Sequence, residues 1–234
     1  MTADVSPQEP QPHGQPACRH LQMRDYYASR APEYDQVYLK PERQADLHDI
    51  RQWLPTVFKG KSVLEVACGT GYWTQYLAPV AAGMVAVDSS PETLRIAQTR
   101  ARPEDVDFVT GDAYRLPVAA GGFQSAFAGF WFSHVPKERV PEFLANLHMA
   151  LVPGAKVVFL DNRFVEGSST PISEHDEQGN TYQIRHLADG SSHRVLKNFP
   201  SELDLRRAVE TIGADFRFHE WQYFWAVEYA AAKP

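Results

Sequence analysis

Cysteine is nearly absent from the chain. Cys18 lies in a polar N-terminal stretch and Cys68 in a glycine turn, and there is no third. No structural disulfide is therefore expected, and a reducing compartment, the cytoplasm, is the expected location. Long apolar runs are missing as well. The strongest, residues 127–132, falls far below the roughly 18–20 residues of a spanning helix, so no membrane segment is expected. Positive charge is scarce: 23 Lys and Arg against 29 Asp and Glu give a net charge of −6. The broad cationic surface that sequence-independent phosphate binding requires is lacking, and nucleic acid is not an expected partner. Residues 1–15, rich in proline, glutamine and glutamate, contain no apolar core of a signal peptide. Residues 1–20 read as a disordered tail ahead of one domain over 21–234, a length that suits a single α/β unit.

What is present alternates. Aromatics at helical spacing over 21–38, interrupted by Pro32, and a helix over 41–54 closed by Pro55, read as N-terminal capping helices. Continuous apolar strands follow at 62–67, 84–87, 106–109, 124–130 and 156–160. The segments between them are helical, from Tyr72, after Ser90-Pro91-Glu92, and over 136–151. Apolar strands separated by helices make a parallel sheet covered on both faces, and right-handed crossovers make it doubly wound and Rossmann-like. From residue 163 the pattern changes to a lid insertion over 163–199, with two alternating segments at 181–187 and 192–197 around Asp189-Gly190, a hairpin signal. A helix at 202–212, stopped by Gly213, and strands at 215–219 and 223–228 complete the domain.

The first strand runs through Glu65, Val66 and Ala67 into Cys68-Gly69-Thr70-Gly71. Gly69 and Gly71 let the backbone approach a ligand, and the helix that follows directs free N–H groups at it. A dinucleotide fingerprint needs a third glycine at position 74, which is threonine, so NAD and FAD are disfavoured. Asp88 ends the second strand, where a carboxylate accepts from ribose hydroxyls. Gly111-Asp112-Ala113 follows the third, placing an acceptor for an adenine amino group and an N–H for its ring. Taken singly, each mark also fits a helix cap or an ordinary α/β turn.

In this order, on consecutive strand ends, these marks resemble the class I S-adenosylmethionine (SAM)-dependent methyltransferases. The resemblance implies a seven-stranded α/β sheet whose last strand, 223–228, is antiparallel, with Glu65 organising the glycine loop. It implies SAM as cofactor and S-adenosylhomocysteine (SAH) as product. Cofactor contacts are implied at Glu65, Ala67, Gly69, Gly71, Trp73, Asp88, Ser89, Asp112, Ala113 and Phe130, with Tyr27 and Tyr34 near the sulfonium or its carboxylate.

Methyl transfer from a sulfonium is an in-line displacement, so substrate identity is sought after strand four and in the lid. The Asn/Asp-Pro-Pro-aromatic motif of amino-methylating nucleic-acid enzymes is replaced by Phe130-Trp131-Phe132-Ser133-His134-Val135-Pro136, and neither cysteine follows a proline as a cytosine C5 nucleophile would. A small molecule remains. Residues 26–35 (Tyr-Tyr-Ala-Ser-Arg-Ala-Pro-Glu-Tyr-Asp), 69–74 (Gly-Thr-Gly-Tyr-Trp-Thr), His134-Val135-Pro136 and the hairpin to Lys197 resemble the small bacterial phosphonate O-methyltransferases. That resemblance implies that an anionic substrate is held by Arg185, Lys197 and the catalytic candidate His134, with Trp131 on the wall and a tyrosine contact near Tyr38. The chemistry agrees: a phosphonate or carboxylate oxygen is already ionised, Arg185 offers parallel N–H donors and Lys197 a point charge. A three-residue loop, Asp189-Gly190-Ser191, pairing Arg185 with Val195 and Gln183 with Lys197, is expected because it puts both cations on one face. N-methylation of a small amine or heterocycle, with His134 as base and the acidic segment 174–177 facing the amine, and a non-catalytic SAM-binding regulator are the alternatives. The run Glu174-His175-Asp176-Glu177 reads as a solvated loop, and no metal is expected.

Overall fold

The computed structural model describes residues 30–102 and 104–232; the expectations placed on Tyr27 and the 1–20 tail lie outside them. Two 3-10 turns, Ala31–Tyr38 and Pro41–Arg43, lead into helix α1, Gln44–Phe58. Strand β1, Ser62–Val66, then opens a regular alternation. It runs through α2 (Thr74–Leu77), β2 (Gly83–Asp88), α3 (Pro91–Ala97), β3 (Val106–Thr110) and β4 (Phe123–Gly129) to α4 (Val140–Met149) and β5 (Leu151–Asn162). The lid contributes β6 (Glu174–His175), β7 (Thr181–His186) and β8 (Ser192–Leu196). Helix α5 (Glu202–Val209), β9 (Gly213–Glu220) and β10 (Phe224–Ala231) follow.

The main sheet has seven strands in the order β3-β2-β1-β4-β5-β10-β9. The first five are parallel, and β10 runs antiparallel to both neighbours. Apolar side chains fill both faces. Helices α1 and α3 cover one through Leu47, Ile50, Leu54, Phe58 and Leu94, and α4 and α5 cover the other through Phe143, Leu147, Leu205 and Val209. Among the described residues no helix is long and apolar enough to cross a membrane.

Two local expectations are corrected. Pro55 lies inside α1 rather than ending it. Its ring forgoes one backbone hydrogen bond, but Leu54 and Phe58, both at 0 % exposure on the sheet-facing stripe, hold the last turn down, each burial being worth about 1.5–3 kcal/mol. The lid is a three-stranded sheet, β6-β7-β8, rather than a lone hairpin.

The hairpin turn also sits one residue earlier than expected. Arg185 faces His193 and Gln183 faces Val195, and the three residues between Leu187 and Ser191 form the loop, closed by the Leu187 N–H donating to the Ser191 carbonyl. Gly190, at φ 83°, takes the left-handed position that ends such a loop. The loop is still odd-numbered, and the Lys197 N–H donates to the Thr181 carbonyl. Arg185 and Lys197 therefore stand on one face of the lid.

A buried amide pair ties the base of the lid to the segment after β4. Asn198 accepts from the Thr181 N–H at 2.9 Å and donates to the Val135 carbonyl and to Asn180 Oδ1. Asn180 in turn accepts from the Lys137 N–H and donates to Glu138 and Asp176. Asn198→Ala leaves these groups unpaired out of water, so a loss of about 2 kcal/mol is expected. It should appear as a lowered urea midpoint with an unchanged slope.

Candidate functional site

Strand order reverses between β1 and β4, and in an open parallel sheet that is where ligands enter, beyond the carboxyl ends of the strands. Two non-glycine residues there are left-handed: Ala67 at φ 56°, just past β1, and Phe130 at φ 59°, just past β4. Such backbone is rare for residues with a Cβ and gathers at ligand sites. Gly69, at φ 56°, holds left-handed backbone, and a Cβ there would come into ordinary contact with the Tyr34 ring at 3.8 Å. Gly71 serves a different purpose from the ligand approach expected of it. A Cβ there would lie 2.9 Å from that of Ala97, so its freedom lets the turn pack on the end of α3.

Two carboxylates organise the turn from beneath. Glu65 is buried and accepts from the Thr74 hydroxyl at 2.6 Å, which fixes the start of α2. Burial pushes its pKa up to about 8 against the opposing pull of that hydrogen bond. Asp88 accepts from the Gly69 N–H at 2.8 Å, the Ser90 N–H at 2.9 Å and the Thr93 hydroxyl at 3.1 Å, and burial raises its pKa. These bonds fill three of roughly four acceptor positions on a carboxylate. A two-oxygen grip on both ribose hydroxyls thus requires Asp88 to share or release one of them. Ser89 is half-buried beside it. Asp112 is exposed and accepts from the Tyr114 N–H at 2.9 Å, while Ala113 is buried beneath it. Thr70 donates to Asp35, which also pairs with Arg100, so the first 3-10 turn and Tyr34 are drawn over Gly69.

The lid side carries the opposite charge. A cavity of about 460 Å³ opens between lid and N-terminal turns; Arg30, Lys40, Arg43, Arg185 and Lys197 line it, and among the described residues no carboxylate does. Lys197 is buried, donates to Asp161 Oδ1 at 2.7 Å and to Ser133 Oγ at 2.6 Å, and has its pKa lowered by burial against the pull of Asp161. Burial would raise the Asp161 carboxyl, but the Lys197 ammonium and the hydrogen bonds from Lys197 and Ser133 outweigh it and hold it below its usual value. Arg185 donates to Gln183 Oε1 at 3.0 Å. Arg43, on the apolar stripe of α1 extended backwards, donates to Asn162 and Ser168 and lies over the Phe224 ring.

His134 is buried beside this cluster. Its Nδ1 stands 2.6 Å from the Leu196 carbonyl, which only accepts, so Nδ1 carries the proton and the lone pair is on Nε2. Burial, Lys197 and Arg185 hold its pKa well below the usual imidazole value. The imidazole is neutral and adds no charge to the cation set. Tyr38 and Trp131, expected against the substrate, do not line the cationic cavity. Tyr38 stacks between Tyr72 and Phe130 beside Trp73 in a buried aromatic cluster, and Trp131 packs edge-on to Tyr114 and Phe143. The acidic lid run forms no metal cage: among the described residues no group of three His, Cys, Asp or Glu is placed to hold an ion. Glu174 pairs with Arg194 and Asp176 accepts from Asn180 and Tyr182.

Asp161, Ser133 and Arg43 were missed in reading the sequence. Asp161 had a signal, an acid closing the apolar run 157–160 as Asp88 closes 84–87. Arg43 had one too, since it stands in the 43, 47, 50, 54 stripe that is otherwise apolar.

A family model described as a methyltransferase domain matches residues 63–154. The fold overlays that of DhpI crystallised with SAH at a TM-score of 0.77, with 25 % identity over 94 % of this chain and 100 % of that one. A complex of DhpI with SAM and HEP gives 0.75 and 26 %, over 96 % of this chain and 100 % of that one. The fold is the Rossmann-like one shared by SAM-dependent methyltransferases. The Burkholderia thailandensis 1,6-didemethyltoxoflavin-N1-methyltransferase shares the fold at a TM-score of 0.61 and 16 % identity, over 96 % of this chain and 94 % of that one. A demethylmenaquinone methyltransferase of Renibacterium salmoninarum is 37 % identical over 99 residues, 42 % of this chain, which spans 40 % of that relative's length.

The buried Glu65 makes the stability of the chain depend on pH. The folded state keeps a proton that the unfolded chain loses between its ordinary 4.5 and about 8, so stability falls as pH rises through that window. Glu65→Gln, which keeps an acceptor for Thr74, is expected to flatten the decline in urea midpoint between pH 5 and 8. An unchanged slope assigns the decline to other groups.

Proposed function

We propose that this chain transfers the methyl group of SAM to an oxygen of a small anionic molecule, a phosphonate or a carboxylate. The observation that carries this reading is the cavity wall, in which cations contributed by the lid and by the N-terminal turns meet with no carboxylate among the described residues that line it. Bound SAM supplies an electrophilic methyl on a sulfonium. The chain's own residues have the remaining task of binding and orientation, which can contribute roughly 7–11 kcal/mol to a displacement. We assign the cofactor's adenosine to the crevice of Ala67, Gly69, Asp88, Asp112 and Phe130, and the substrate's charged end to Arg185 and Lys197.

An ionised oxygen is nucleophilic without a base, which suits a site whose histidine is neutral and already bonded through Nδ1. In this reading His134 removes no proton from the attacking oxygen and stands as a neutral, buried neighbour of the Lys197 ammonium. The resemblance to phosphonate O-methyltransferases, and the DhpI complex with SAM and HEP, support an oxyanion over an amine. The acidic lid segment that an amine would need is bound elsewhere, Glu174 by Arg194 and Asp176 by Asn180 and Tyr182.

Arg185→Ala is expected to raise KM for a phosphonate or carboxylate acceptor by about tenfold or more, as for loss of a charge-assisted donor pair. SAH affinity by calorimetry should stay within about twofold, since the adenosine is assigned to the strand ends of the main sheet whereas Arg185 stands on β7 of the separate lid sheet. Equal loss of both, or turnover of amines in preference to acids by the unaltered protein, overturns the assignment.

A further inference from the structure

The ion pair beneath the cavity constrains what Lys197 can offer a substrate. An ammonium has three N–H donors. One is taken by Asp161 Oδ1 and a second by Ser133 Oγ, and both of those residues are at 0 % exposure. Asp161 is itself held from the backbone: the Ser133 N–H donates to Oδ2 at 3.0 Å and the Asn162 N–H to Oδ1 at 2.7 Å. The carboxylate cannot swing without breaking both bonds, so it sets the direction of the amine. The remaining donor is available on the side where Lys197 lines the cavity, a wall to which Asp161 does not contribute.

The charges facing Lys197 come from several elements. Arg185 on β7 and Arg43 ahead of α1 are cations, and His134 after β4 is neutral. Asp161 on β5 supplies the opposing negative charge. An ammonium out of water among arginines gives up its proton unless a carboxylate compensates it.

We propose that Asp161 is a positioning residue for oxyanion capture, acting through Lys197 by fixing the ammonium's direction and sustaining its charge while touching no part of the substrate. The proposal rests on the oxyanion reading above. Lys197 is then the contact, and Asp161 decides whether that contact is a cation aimed into the cavity or a neutral amine free to turn away.

The test is Asp161→Asn in the full chain loaded with SAH, with methylphosphonate as the probe, measured by calorimetry against the unaltered protein at the same pH. Affinity is expected to fall by about tenfold or more at pH 8 and by less than about threefold at pH 6, where the amine protonates without help. SAH affinity should hold within about twofold. An equal loss at both pH values, the mark of a merely structural role, overturns the proposal, as does no loss at all.

A second readout needs no acceptor: the pH dependence of Lys197 acetylation by acetic anhydride, followed by peptide mass spectrometry. Its midpoint should drop by about one pH unit or more in the variant. A midpoint that does not move defeats the role of Asp161 whatever the anion does. A shifted midpoint in a protein that holds no methylphosphonate in its unaltered form defeats the oxyanion reading instead. Should the variant not fold, the unaltered protein decides, because a Lys197 amine that titrates below about pH 7 beside an intact Asp161 overturns the proposal.

Discussion

Withdrawing a lysine and an aspartate from water together costs several kcal/mol per ion, and the arrangement persists only if every remaining donor and acceptor is met. Lys197 and Asp161 come within one lysine donor of that condition by recruiting both the backbone and the hydroxyl of Ser133. The interaction therefore spans the exit of β8, the end of β5 and the segment after β4. None of the three can shift without stranding a charge. The Asn180–Asn198 bonds extend the same constraint along the lid base, and Arg185 inherits its position from it, one strand over in the same small sheet. The lid is thus a wall built on the sheet's carboxyl end, braced there by polar groups as well as by the buried Tyr182, Val195 and Leu196.

Across the switch point the charge is reversed. Asp88, half-buried, supplies the negative charge under the glycine turn, bonded to Gly69, Ser90 and Thr93, beside the buried and protonated Glu65 bonded to Thr74. The cations gather under the lid and the N-terminal turns. A positively charged methyl donor and a negatively charged acceptor suit such a division, each end of the crevice being complementary to one of them. Ala67 and Phe130 hold left-handed backbone between the two ends, at a cost of order 1–3 kcal/mol each that the packed strands on either side sustain.

The frame of the molecule was legible in the sequence because a parallel sheet writes itself as apolar runs of one length between helical stretches. Strand boundaries at 84, 106 and 124 fell within a residue or so of those observed. The glycine turn and its acids were legible because short-range chemistry fixes their spacing. Pro55 misled because tertiary burial of Leu54 and Phe58 overrode a local breaker. Gly71 looked like a ligand-facing residue, whereas its constraint comes from Ala97, 26 positions away and invisible to local reading. Asp161 went unread for the same reason: a single acid at a strand end has no meaning until the fold brings Lys197, from another strand, against it. Tyr38 and Trp131 carried the right chemistry for a pocket and were claimed by aromatic packing instead.

The three-residue tip between Leu187 and Ser191 has a consequence for how this lid can vary among descendants of the chain. Its two strands are anchored independently, one by Gln183 to the Thr170 carbonyl and the other by Lys197 to Asp161. Because successive side chains point to opposite sides, inserting or deleting one residue at the tip sets those anchors out of phase and turns one cation outward. Adding or removing two restores the phase. Length changes there are tolerated in even steps, and odd ones need a bulge to absorb them.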